Sequence, residues 1–160
     1  MELIDECGPM VVGISWHILG NSADVEDNVQ DVFLEACRIH ERTPIRHGRG
    51  LLRRLATFGA LAKLRRRRHH SPLEEVALVD PESPPENLAM RREMEQKLRN
   101  AVASLPEREG AVFSLRCFEN LELSEIAECL GIRYSAAGAA LSRARAKLAQ
   151  VFAENLPENF

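Results

Sequence analysis

Large rings are scarce in this chain. Aromatic residues make up 5% of its 160 residues, with one Trp and one Tyr, which excludes a core built on stacked rings. Aliphatic side chains and alanines at helical spacing must hold it together. Long apolar runs are missing too. The longest uncharged apolar stretch, Pro9–Leu19, carries Ser15 and His17 and is far too short to span a bilayer. No basic segment precedes it, so no signal peptide is read; the expected location is cytoplasmic, without membrane insertion. No C-x-x-C pair occurs among Cys7, Cys37, Cys117 and Cys129. Cys37 and His40 have a C-x-x-H spacing but no second pair to complete a tetrahedral zinc site, so no metal and no cofactor is expected. The four cysteines read as reduced, mostly buried thiols. His17, His40, His47, His69 and His70 have no nucleophile or ligand partner at a recognisable spacing, which argues against an enzyme.

What is present is strongly segregated charge. The net charge of −3 conceals it. From Met1 to His40 the acids Glu2, Asp5, Glu6, Asp24, Glu26, Asp27, Asp31 and Glu35 face a single Arg38. From Glu41 to His70 the sign reverses, with Arg42, Arg46, Arg49, Arg53, Arg54, Lys63 and the run Arg65–Arg68. Ser71–Met90 is again purely acidic. An ordinary solvated surface intersperses its signs, so the pattern suits two different partners: a basic protein surface for the acids and a polyanion for the bases.

Ser71–Glu86 holds Pro72, Pro81, Pro84 and Pro85 and shows no hydrophobic period, which marks a linker between two helical halves. No alternating β-type run occurs, and the expected fold is all-α: two small helical domains, residues 1–70 and 87–153, with the linker at 71–86 and a short tail at 154–160. In the first half, Leu3, Met10, Ile14 and Ile18 mark a helix broken or entered at Pro9 and closed by Gly20. Asn21 or Ser22 offers an N-cap to a helix burying Val25, Val29, Val32, Phe33 and Ala36. A third helix, about Leu51–Arg68, sets Leu51, Leu55, Phe58 and Ala62 on one face. In the second half, a helix over about Glu86–Ser104 presents Met90, Met94, Leu98, Ala101 and Val102. Pro106 then restarts the chain into a helix with Val112, Leu115 and Phe118, and Ser124 caps the helix that stops at Gly131. The last helix spans about Ser135–Phe152.

The pair of helices joined at Gly131-Ile132-Arg133 has the spacing of a helix-turn-helix. Ala127 is small enough for a close crossing, Gly131 permits a left-handed turn, and Ile132 plugs the wedge. Arg143, Arg145 and Lys147 follow along the second helix, where they can meet phosphates.

At this point the residues resemble a known family. Leu19–Phe33 (LGNSADVEDNVQDVF) is similar to region 2 of bacterial extracytoplasmic-function (ECF) sigma factors of the sigma-70 family. Leu105-Pro106-Glu107-Arg108-Glu109, Glu125–Ile132 and Leu141–Leu148 resemble their region 4. The resemblance implies a specificity subunit of RNA polymerase with no catalytic chemistry of its own. It implies that Asp27, Gln30 and Asp31 meet the basic coiled coil of the beta-prime subunit, and that Arg53, Arg54, Phe58, Lys63, Arg65 and Arg66 face the −10 promoter element. The second half would dock on the beta flap and bring Arg133, Tyr134, Ser135, Arg143, Arg145 and Lys147 to the −35 element. An anti-sigma factor is implied as a further partner.

Departures from the family pattern qualify this. Leu51 stands where a Trp is usual, Phe58 where a base-reading Asn is common, and Ala62 where an Asp is usual. Ala136, Gly138 and Ala140 replace the Thr, Lys and Arg that open the recognition helix, and a methyl group or a hydrogen makes no phosphate or base contact. Promoter choice is therefore expected to lean on the −10 side. Phe58 is either an extra core residue or a platform for an unstacked base. Two other readings stand beside the sigma factor: a stand-alone helix-turn-helix regulator, which leaves the acidic face unexplained, and a sigma-like adaptor that reads promoters poorly, which the alanine-rich helix favours. A proline-bearing linker lacks protecting backbone hydrogen bonds, so limited proteolysis of the intact protein should cut first within Ser71–Glu86, as peptide mapping would show.

Overall fold

A computed structural model describes residues 2–70 and 85–154, and all of the regular structure among them is α-helical. The linker reading falls mostly outside the described residues, as does the tail. Seven helices follow one another: α1 (Glu2–Leu19), α2 (Ser22–Arg42), α3 (Gly48–His70), α4 (Pro85–Ala103), α5 (Glu107–Cys117), α6 (Leu123–Leu130) and α7 (Tyr134–Glu154). The all-α expectation holds throughout the described residues.

The α1 helix runs unbroken through Pro9, where the sequence points to a helix either broken or entered. Proline removes one hydrogen bond, but Cys7 on one side of it and Val11, Ile14 and Ile18 on the other are all buried, so the same face is anchored on both sides. Gly20 ends the helix at φ 71°, and Asn21 caps α2 by accepting the Asp24 N–H at 2.9 Å. Along α2, Val25, Val32 and Ala36 are buried, with Val29 and Phe33 packed beside them.

The α3 helix lies at the centre, with α1 and α2 on one side and α4, α5 and α6 on the other. Its buried residues are Leu52, Ala56, Thr57, Ala60, Leu61 and Leu64. The expected face was one residue off: Leu51, Leu55 and Phe58 only flank this core, and Ala62 is exposed. A helix covered from two sides buries a broad arc, and single-stripe reasoning misplaces its centre. The expected face of α4 is also corrected. Met90 and Met94 are 71% and 53% exposed, because α4 joins the core only from Leu98 onward, through Ala101 and Val102. Ser124 does not cap α6; Glu122 holds that position, and its N–H donates to the Glu125 carboxylate at 2.9 Å.

The core is continuous from α1 to α7. Leu61 of α3 packs at Gly110 of α5, and Arg65 donates to the Leu105 carbonyl at 2.9 Å. His17 of α1 lies 2.9 Å from the Glu119 carboxylate, and the Cys129 thiol lies 3.5 Å from the Gly50 carbonyl.

One polar group sits deep in the first half. Asn28 is fully buried, donating to Ser15 Oγ at 2.8 Å and to the Ala56 carbonyl at 3.2 Å, while its Oδ1 has no hydrogen-bond partner. That oxygen lies against Gly59, where a Cβ would come within 2.5 Å of it. In an open helix Gly→Ala gains about 1 kcal/mol. Here Gly59→Ala should instead cost roughly 1–3 kcal/mol through overpacking. Combining it with Asn28→Ala should reverse the sign of its effect, a coupling that urea denaturation of the two single variants and the double variant would measure.

Candidate protein and nucleic-acid interfaces

Burying Val25, Asn28 and Val32 turns the opposite side of α2 outward, and Asp27, Gln30 and Asp31 are all exposed there. They form an acidic face one helical turn long. From α3, Lys63 reaches across to both acids: Nζ donates to Asp31 at 2.6 Å and to Asp27 at 3.1 Å. The Lys63 side chain is only 11% exposed, the two aspartates 60–68%. Burial disfavours the ammonium, but the hydrogen bonds to Asp31 and Asp27 outweigh it and hold Lys63 above its ordinary pKa. The sequence reading placed Lys63 with the DNA-facing bases; the structure places it under the acidic face.

The other bases of α3 divide similarly. Arg65 spends a hydrogen bond on Leu105, and Arg67 donates to the Leu19 carbonyl and to Asp24. Their lateral position on a helix packed from both sides makes them internal ties. Arg54 and Arg66 are exposed. Arg53 is half-buried, with an Nε that no protein group accepts. Arg53 and Arg54 line a cleft of about 510 Å³ between the start of α3 and α6, together with His47, Arg49, Glu125, Glu128 and Cys129. Phe58 lies half-buried against the core.

The second half builds its turn as its residues foretell. Gly131 adopts φ 65°, and the Ile132 N–H donates to the Ala127 carbonyl at 3.0 Å. Arg133, Tyr134 and Ser135 are exposed at the start of α7. Ala140 is fully buried beside Ala137 and Ala144, so it is a packing residue. A long cation there would be forced into the core, whereas Gly138 has only Leu123 nearby, at 4.0 Å, and would accept a side chain. Arg143 and Lys147, expected at phosphates, both bind Glu109 of α5, at 3.1 and 2.8 Å. Nothing in the sequence pairs these positions across 34 and 38 residues; a glutamate in the first turn of α5 has an ordinary explanation in the helix dipole.

The thiols differ from expectation. Cys7 is buried and Cys129 half-buried, but Cys37 and Cys117 are exposed, Cys37 on the outer side of α2 and Cys117 at the end of α5. Among the described residues no group of three or more His, Cys, Asp or Glu is arranged for a metal, and no helix is long and apolar enough to cross a membrane.

Two family models match the chain. Residues 3–70 match the family model described as Sigma-70 region 2, and residues 95–148 match the one described as Sigma-70, region 4. The chain is similar to the ECF RNA polymerase sigma factor SigE of Mycolicibacterium smegmatis, with 27% identity over 98% of this chain and 63% of that protein. It thus spans less than two thirds of that relative's length. The fold resembles that of CnrH, solved in complex with the cytosolic domain of CnrY (TM-score 0.64, 20% identity, 97% of this chain and 88% of that one). It also resembles the sigma factor RpoE of Bartonella quintana, solved in complex with the anti-sigma factor NepR (TM-score 0.59, 16% identity, 94% of each chain).

The Glu109 cluster has a pH signature. The hydrogen bond from Lys147 lowers its pKa, burial opposes this, and Arg143 adds to the lowering, so the net value lies below the usual carboxylate range. The stability it contributes is complete above the unfolded carboxylate value and is lost as pH falls through the depressed folded value. Thermal unfolding of Glu109→Gln should therefore show a shallower loss of stability on the acid side than the native chain.

Proposed function

The chain belongs to the sigma-70 family, in its extracytoplasmic-function group, and on that premise we propose that it is an alternative sigma factor. It binds core RNA polymerase and directs promoter recognition and transcription initiation. The observation that carries the reading is the exposed acidic face of Asp27, Gln30 and Asp31, set on α2 beside a basic central helix. With two carboxylates against the single Lys63, the face keeps a net negative charge that suits a cationic protein surface, and the beta-prime coiled coil is the partner it would take. Residues 1–70 then act as region 2, 71–86 as the linker, 87–153 as region 4, and 154–160 as a tail. Arg53, Arg54, Phe58 and Arg66 are proposed to meet the −10 element, and Arg133, Tyr134, Ser135 and Arg145 the −35 element, with the second half docked on the beta flap. Because CnrH and RpoE were each solved with a protein partner, RpoE's being an anti-sigma factor, an anti-sigma factor is proposed here as well.

A sigma-like adaptor is the second reading. It is favoured by the start of α7, where Ala137 and Ala140 are buried and few side chains are left for the major groove. Run-off transcription with core polymerase on genomic fragments separates the two, since an adaptor yields no specific transcript.

The polymerase contact has its own test. Reversing Asp27 and Asp31 to Lys would crowd two cations against Lys63, so neutral changes are cleaner. Asp27→Asn and Asp31→Asn, combined with Lys63→Met to avoid stranding a cation, should leave circular dichroism unchanged. Binding to core polymerase should weaken by tenfold or more, on the roughly 1.5–7 kcal/mol scale of close interfacial charge pairs. Undiminished co-purification would remove α2 as the contact.

A further inference from the structure

Arg143 and Lys147 lie one turn apart in the later part of α7, the second helix of the helix-turn-helix, and would suit a DNA phosphate. In this structure they already hold an anion. Arg143 Nε donates to one oxygen of Glu109 and Lys147 Nζ to the other. The burial is lopsided: the Glu109 side chain is 8% exposed, whereas Arg143 and Lys147 are 58% and 47% exposed. An exposed ion pair exchanges partners at little cost. Here both oxygens of one carboxylate are engaged, so freeing the two cations for DNA would break two charge-assisted hydrogen bonds at once.

We propose that Glu109 stands in for a backbone phosphate, withholding Arg143 and Lys147 from the duplex and so setting how tightly the second half grips DNA of any sequence. The cations left for that grip at this end of the molecule are Arg133 and Arg145, both exposed. Sequence-independent affinity is mostly phosphate neutralisation, so a carboxylate that removes two cations weakens non-specific binding without touching a base-reading side chain. The role assigned to Glu109 rests on the reading of this chain as a promoter-binding protein.

The test uses the full chain and a short duplex of arbitrary sequence, with binding followed by fluorescence anisotropy across a salt series. Each phosphate contact contributes about 0.9 to the slope of log K against log salt. In the native background, Arg143→Gln with Lys147→Gln should leave the slope unchanged, because those charges are already spent. Glu109→Gln should steepen it by up to about 1.8, two contacts' worth, and tighten binding at low salt. Adding the two Gln changes to Glu109→Gln should cancel that gain. A slope that flattens when Arg143 and Lys147 are removed from the native chain overturns the proposal, and so does a folded Glu109→Gln variant with the native slope. Should Glu109→Gln or the double variant fail to fold, the triple variant, which leaves no charge unpaired, decides: a slope equal to the native one supports the proposal and a flattened one overturns it. The slope is read on free protein and DNA, so it stays interpretable if the native chain fails to capture core polymerase, the result that would count against the functional reading instead.

Discussion

Lys63 reaches from the middle of the fold to two carboxylates on the neighbouring helix, at 2.6 and 3.1 Å, and much else follows from that contact. It fixes α3 against α2 from the solvent side, while Leu52, Ala56 and Ala60 are buried below. It also decides what the outer surface of α2 looks like, since Asp27 and Asp31 are held one turn apart with their outward oxygens available. A cation that is mostly buried could not sit there without both partners. The acidic face and the basic helix are therefore one electrostatic unit.

The same logic recurs along α3. Arg67 meets Asp24 and the last carbonyl of α1, where the helix dipole also favours a cation, and Arg65 meets Leu105 in the other half. The basic run that appears in the sequence as a polyanion site is in part the cement between helices. The exposed cation at its head, Arg54, and the half-buried Arg53 beside it line the cleft at the start of α3 instead. A protein with this arrangement carries less effective positive charge on its central helix than its residue count suggests.

Much of the architecture was legible because local chemistry and global fold agree there. The Asn21 cap, the Val25–Val32–Ala36 stripe, the left-handed Gly131 and the small Ala127 each act within a few residues, so sequence spacing reports them directly. The misplaced faces of α3 and α4 arise from the opposite situation. Whether Leu51 or Leu52 faces inward depends on how many helices cover α3, and whether Met90 is buried depends on where α4 meets the others. The sites divide in the same way. The exposed acids of α2 could be read from the chain, but the ties from Lys63 to Asp27 and from Glu109 to Lys147 join residues far apart in sequence, with nothing in either segment to announce them. Ala140 shows the hazard of reading position alone: its place in the recognition helix suggested groove contact, and its burial gives it to the core.

The two exposed thiols lie on different halves, Cys37 on α2 and Cys117 at the end of α5, while Cys7 is enclosed by the first half's core and Cys129 is partly covered. Maleimide chemistry discriminates by access and thiolate formation; burial raises the pKa of both Cys129 and Cys117 against the opposing pull of nearby arginines, so access is what separates them. The native chain thus comes with one reactive handle per half, and a donor and acceptor dye attached there would turn the spacing of α2 and α5 into an optical signal without a single engineered residue.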